Sequence, residues 1–311
     1  MSDASATSQN PAFDPVAMRQ EVTKLGPTLT TELLAQSQRL YAPYQEAEPY
    51  DGLLVSRDVA YGSQERQRLD AFRAEVADAP QPALVFVHGG GFVGGDKHRP
   101  GSPFYDNIAV WAARNGLVGI NMTYRLAPDH PWPAGAQDVG AVVRWIHENA
   151  AEFGIDPAAI VLMGQSAGAT HVATYVANKD VQPAEGAGIA GAALVSGVYD
   201  LAIANPKAIS TAYFGGDASL YSERSTIRGL TETNLPLLIA VAENDPAHFQ
   251  QQSLRVISAA FEKKRQLPRF LQMPGHNHIT GVLHLGLADD RLGPELLSFI
   301  GRSRAVLQHS S

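Results

Sequence analysis

Ile160-Val161-Leu162-Met163-Gly164-Gln165-Ser166-Ala167-Gly168 joins a continuous apolar run to a serine held between two glycines. Four apolar residues with no polar break read as a strand buried on both faces. A Gly-x-Ser-x-Gly turn after such a strand, with a helical pattern starting at Ala167, reads as a sharp elbow. It pushes the serine oxygen out above a sheet as a nucleophile. Such a turn leaves its flanking positions almost no room for a side chain, so both are glycine. The motif alone is weak: at this chain's glycine and serine frequencies, chance supplies it in roughly one such chain in six. The surrounding sequence carries the reading.

Similar apolar runs recur at Ala83–Val87, Leu117–Met122, Ala192–Val195 and Leu237–Val241. Helical patterns lie between them at Tyr105–Arg114, Gly135–Ala151, Ala167–Ala177 and His248–Lys264. Strands alternating with helices predict an α/β fold with a mostly parallel, doubly wound sheet flanked by helices. Leu53–Tyr61 and Leu69–Ala71 alternate like antiparallel strands. Arg269–Met273 and the helix Pro294–Leu307 close the domain. The start, residues 1–12, is Ser/Ala-rich and loose. Pro15–Tyr44 is helical, divided by Pro27. Residues 200–234, with Pro206 and Gly215-Gly216, read as an insertion over the sheet.

The chain has 311 residues, 45% apolar and 18% charged, as in an ordinary globular enzyme. A formal net charge of −7 without a basic patch argues against nucleic acid as a partner. With no cysteine, disulfides and thiolate metal sites are excluded. Met1–Met18 has no apolar signal-peptide core, and no apolar run reaches the ~20 residues that span a membrane. A cytoplasmic location is the expectation.

His88-Gly89-Gly90-Gly91-Phe92 follows the strand that ends at Val87. Three consecutive glycines expose backbone N–H groups and let the chain approach a ligand closely. Paired with the amide after the nucleophile, they suit an oxyanion hole made by Gly90, Gly91 and Ala167. No Gly-Lys-Ser/Thr ending or Gly-x-Gly-x-x-Gly spacing supports a phosphate loop instead. His88 reads as a hydrogen-bonder that shapes the loop.

The acid and the base of such a site follow the serine in chain order. Leu237–Val241 leads into Ala242-Glu243-Asn244-Asp245-Pro246, where Asp245 is the candidate acid and Glu243 its rival. Met273-Pro274-Gly275-His276-Asn277-His278-Ile279 offers two bases, of which His278, next to the anchoring Ile279, is preferred to His276. The His-x-His pair also admits a zinc reading, but nothing supplies a third ligand, so no metal is expected. The other seven histidines read as surface or structural. Phe92, Gln165, Tyr213 and Phe214 are candidate substrate contacts. Tyr124-Arg125 reads as organising its loop, Trp132 between Pro131 and Pro133 as a packed corner, and Asp138 as that corner's buried partner.

Taken together, His88–Phe92, Tyr124–Ala134, the elbow at Ser166, Asp245-Pro246 and the His278 loop resemble α/β-hydrolase carboxylesterases of the hormone-sensitive-lipase-like type. The resemblance extends over most of residues 80–285. It implies an α/β-hydrolase fold with a helical cap from residues 1–48, helped by 200–234, on a catalytic domain spanning 49–311. It also implies a cofactor-free serine esterase for short or medium acyl or small aryl esters. Two departures stand out. Gln165 occupies a place where that branch usually has Asp, and the His278 loop lacks its usual His-Gly-Phe. Both look closer to the carboxylesterases that resemble feruloyl esterases and kynurenine formamidases. An arylformamidase-type amidase and a non-catalytic small-molecule binder are the alternatives. A homodimer through the edge strand and C-terminal helix is a further analogy with the family.

Overall fold

Apolar runs without polar breaks become the centre of one eight-stranded sheet in the computed structural model. It describes residues 12–45, 50–204 and 211–308, with side chains as far as Ser303 in the last helix. The first 11 residues, residues 46–49, Pro206 and His309 therefore lie outside the described residues.

The strands are β1 (Leu53–Ala60), β2 (Arg68–Ala74), β3 (Gln81–Val87), β4 (Val118–Met122), β5 (Ile155–Gln165), β6 (Gly191–Val195), β7 (Leu237–Asn244) and β8 (Arg269–Asn277). They lie in the order β1-β2-β4-β3-β5-β6-β7-β8. β1 and β2 pair antiparallel, as does β2 with β4, and every other pair is parallel. The mostly parallel α/β sheet expected from the runs is what forms. Side chains alternate between faces: Ala83, Val85 and Val87 join one core, and Leu84 and Phe86 the other. Both faces of β3, β5 and β6 are covered, which is why their sequences show no polar alternation.

The helices are α1 (Pro15–Leu25), α2 (Thr31–Tyr41), α3 (Asp106–Arg114), α4 (Ala134–Phe153), α5 (Ala167–Ala177), α6 (Thr211–Phe214), α7 (Tyr221–Arg224), α8 (Ile227–Glu232), α9 (Ala247–Lys264), α10 (Thr280–Leu283) and α11 (Leu292–Gln308). α4, α5, α8 and α9 cover one face, and α1, α2, α3, α10 and α11 the other. Asp14 and Thr30 cap α1 and α2, accepting bonds from Val16 N at 2.9 Å and Leu33 N at 3.0 Å. Pro27 falls between the two helices, as the sequence predicts.

β8 runs four residues past the expected Met273, through Pro274 and Gly275, because β7 imposes its register as far as Asn244 opposite Asn277. β8 is an edge strand, where a proline without an N–H is tolerated. The described part of 200–234 carries the short helices α6, α7 and α8 and a 3-10 turn at Ala218–Leu220, and α8 packs on α5 and α9.

The parallel register fixes where the loops emerge. Val87 lies opposite Gly164, Gln165 opposite Val195, Val195 opposite Ala240, and Asn244 opposite Asn277. The segments after β3, β5, β7 and β8 therefore leave the same carboxyl edge. After β3 the chain turns to one side of the sheet and after β5 to the other, so a crevice opens between them. That is where open α/β sheets bind ligands.

Candidate active site

Ser166 sits between β5 and α5 at φ 56° and ψ −121°. A Cβ on Gly164 would collide with the Gly168 carbonyl, and one on Gly168 with the Val87 carbonyl. These contacts explain the two glycines: α5 starts too close to β3 and β5 for any side chain there. Ser166 N donates to Val195 O at 2.9 Å, tying the elbow to β6.

Ser166 Oγ–H donates to His278 Nε2 at 2.9 Å, and His278 Nδ1–H donates to Asp245 Oδ1 at 2.6 Å. The carboxylate fixes the tautomer, because it can only accept. Asp245 is 1% exposed and His278 2%. The second oxygen of Asp245 accepts from Ser196 Oγ at 2.6 Å and from Ala242 N at 2.7 Å, so the buried charge is fully hydrogen-bonded. Phe249 stacks on the His278 ring, with centroids 4.1 Å apart.

The two rivals turn elsewhere. Glu243 is exposed and accepts from Gly275 N at 2.6 Å. His276 stacks on His284 at 3.9 Å, and its Nδ1 lies 3.3 Å from Thr280 Oγ1. Burial holds His276 well below the usual imidazole range. Among the described residues, no three His, Asp or Glu side chains gather to hold a metal ion.

Gly90 and Gly91 face Ser166 across the crevice and line a cavity of about 440 Å³ with it. Gly90 has φ 136°, reachable without strain only by glycine. Ala167 is the first residue of α5, where an amide has no partner within the helix. Among the described residues, the amides of Gly90, Gly91 and Ala167 donate to no protein acceptor. His88 is buried beneath the loop, stacked on Tyr124, and its Nδ1–H donates to Gly89 O at 2.6 Å. Burial lowers its pKa to about 4, so it stays neutral. Tyr124 donates to His88 O at 3.0 Å, and Asp138 accepts from Arg125 N at 2.8 Å. Trp132 N donates to Tyr213 O at 2.8 Å. The contacts of Tyr124 and Arg125 match the loop-organising reading, whereas Asp138 is held by Arg125 and by Gln67 Nε2 at 2.8 Å, and among the described residues its hydrogen bonds are with these and not with the Trp132 corner.

Gln165 lines the same cavity but is only 3% exposed, and its amide donates to His278 O at 2.9 Å. The contact found for it is to the histidine loop. Phe92, Tyr213 and Phe214 come together in one packed cluster with Ala167 and Phe249, and none of the three lines the cavity. Phe92 and Tyr213 stack at 4.5 Å. Thr31, Leu34 and Gln38 of α2 line it instead. Helix α2 is also bonded to the histidine loop, where Asn277 Nδ2 donates to Ser37 Oγ at 3.1 Å, and to the segment before α11, where Tyr41 donates to Asp289 at 2.8 Å.

Sequence reasoning missed Ser196 and Phe249. Ser196 directly follows the run Ala192–Val195, whose strand lies between those that deliver Ser166 and Asp245. That adjacency was the available signal.

Among the described residues no helix is long and apolar enough to cross a membrane. The chain is similar to carboxylesterase NlhH of Mycobacterium tuberculosis, 45% identical over 94 residues, 28% of this chain and 26% of that protein. It is 36% identical over 126 residues to the tuliposide A-converting enzyme b1 of Tulipa gesneriana, 37% of this chain and 33% of that one. The chain thus spans about a quarter to a third of the length of these relatives. Among solved structures, esterase B from Lactobacillus rhamnosis superposes with a TM-score of 0.72 at 18% identity, covering 94% of this chain and 99% of that one. A bacterial heroin esterase gives 0.70 at 23%, covering 94% and 98%. At these identities the likeness is one of fold. The profile of the alpha/beta hydrolase fold matches residues 84–279, from within β3 to just past His278. That match covers most of the sheet together with Gly90, Gly91, Ser166, Asp245 and His278, and it places the chain in the alpha/beta hydrolase fold family.

Proposed function

We propose that the protein is a serine carboxylic-ester hydrolase acting on short or medium acyl or small aryl esters. One observation carries this reading: the unbroken hydrogen-bond chain from Ser166 through His278 to Asp245, beside the amides of Gly90, Gly91 and Ala167, which among the described residues donate to no protein acceptor. His278 takes the Ser166 proton as Oγ attacks the ester carbonyl. The oxyanion forms against the Gly90, Gly91 and Ala167 amides, each such donor being worth ~2.7–4 kcal/mol of barrier in comparable sites. The imidazolium gives its proton to the leaving alkoxide, which leaves an acyl-enzyme on Ser166. Water, deprotonated by His278, then releases the acid and returns the proton to Ser166. Asp245 holds the tautomer and stabilises the imidazolium.

Helices α1 and α2 act as the cap in this reading. Thr31, Leu34 and Gln38 close one side of the cavity, and a volume of about 440 Å³ suits a small ester. The relatives named carboxylesterase and esterase point the same way. The test is turnover of 4-nitrophenyl acetate by the purified chain and by its Ser166→Ala variant. The expected loss in kcat is ~10⁶-fold. A variant that retains its activity contradicts the reading.

A further inference from the structure

The cavity before Ser166 also holds polar groups that ester hydrolysis leaves unused. Arg99, on the loop between Phe92 and α3, lines it together with Tyr105 and Gln38. Arg99 is exposed, and among the described residues no carboxylate lies within ion-pair distance of its guanidinium. Its neighbours along the chain differ: Lys97 meets Asp58 at 2.6 Å and Asp70 at 3.0 Å, and His98 faces Asp106 at 3.0 Å.

One acid, Asp96, lines the same cavity. Its carboxylate accepts from Lys97 N at 2.8 Å and lies 3.9 Å from Arg66 Nη1. Among the described residues the charge of Asp96 therefore has partners and that of Arg99 has none. Among the described residues the Tyr105 hydroxyl has no hydrogen-bond partner either. Burial pushes its pKa up, so it remains a donor. The Gln38 amide is likewise unpaired among the described residues. A guanidinium and a phenol on residues that line one cavity form a set of donors, and a planar carboxylate is the group that such a set fits best.

We infer that this cavity selects esters carrying a carboxylate, held by Arg99 and Tyr105 while Ser166 attacks the ester carbonyl. This rests on the esterase reading above. The carboxylate could sit on the acyl half or on the alcohol half, and two pairs of substrates separate these cases. The acyl pair is mono-4-nitrophenyl glutarate against 4-nitrophenyl pentanoate. The alcohol pair is 4-acetoxybenzoate against 4-tolyl acetate.

The readout is the ratio of kcat/KM for the charged ester to that for its neutral match, compared between the full-length wild type and each variant. Comparing ratios cancels the intrinsic reactivity of the leaving groups. Arg99→Gln is expected to lower the ratio about 10- to 100-fold in one pair, mainly through KM, and Tyr105→Phe several-fold in the same pair. Arg99→Lys should recover part of the loss. Free glutarate should inhibit the wild type competitively, with a Ki that rises by a similar factor in Arg99→Gln. A ratio unchanged in both pairs, with hydrolysis of the neutral esters intact, overturns this inference alone. A wild type inert towards all four esters overturns the esterase reading and this inference with it.

Discussion

Ser166 holds a conformation that side-chain-bearing residues rarely adopt, at φ 56°. Such a residue costs on the order of 1–3 kcal/mol and persists only where its surroundings enforce it. Here β5, α5 and the Val195 carbonyl do so. The same residue-scale logic separates Asp245 from Glu243. Asp245 is buried against His278, Ser196 and Ala242, whereas Glu243 is exposed and bonded to Gly275. Asp245→Asn is expected to lower kcat about 10⁴-fold, because the imidazole loses its tautomer partner. Glu243→Gln should stay within about threefold, since an exposed acceptor is replaced by another. Steady-state kinetics on one ester checks both, and equal losses would contradict the assignment. Ser166, Asp245 and His278 were legible because each follows a strand end and the order along the chain is constrained. The histidine-loop contact of Gln165, and Ser196 and Phe249 altogether, were not. Their contacts to His278 and Asp245 depend on which strands are neighbours, and that is a property of the sheet.

At the scale of elements, strands buried on both faces announced themselves as unbroken apolar runs, and their helices as periodic ones. The last turn of β8 did not, because Pro274-Gly275 reads as a stop until β7 supplies a register. The helical pattern of α2 was plain, but its placement over the cavity rests on contacts such as Ser37 with Asn277, 240 residues apart. No local pattern encodes such a contact. That placement has a consequence for substrate length. Leu34 lines the cavity from α2, so Leu34→Trp should shorten the space available to the acyl chain. The expected outcome is a loss of about tenfold or more in kcat/KM on 4-nitrophenyl octanoate relative to the acetate. An unchanged chain-length profile would show that α2 does not bound the acyl site.

At the scale of the whole molecule, burial of neutral histidines ties stability to pH. His88 and His171 are fully buried, with pKa values lowered to about 4 and about 3, chiefly by burial. His171 packs against Tyr124, Tyr213 and Phe92, and His88 feels Arg66 and Lys97 against Asp96. In the unfolded chain both titrate near 6.5. Their contribution to stability is therefore complete above that pH and is lost as pH falls towards the folded values. Between pH 6.5 and 5 each loses about 2 kcal/mol. Urea unfolding at pH 7 and pH 5 should show a markedly lower midpoint at pH 5, and coincident curves would contradict the burial of neutral imidazoles. The larger claim at this scale is that four segments leaving one sheet edge assemble an acylating serine. Alkyl fluorophosphonate labelling followed by peptide mass spectrometry tests it most directly. The account predicts one phosphonyl adduct per chain, on Ser166, absent from Ser166→Ala and strongly slowed in His278→Ala. A folded wild type that takes up no label, or takes it up on another residue, would contradict it.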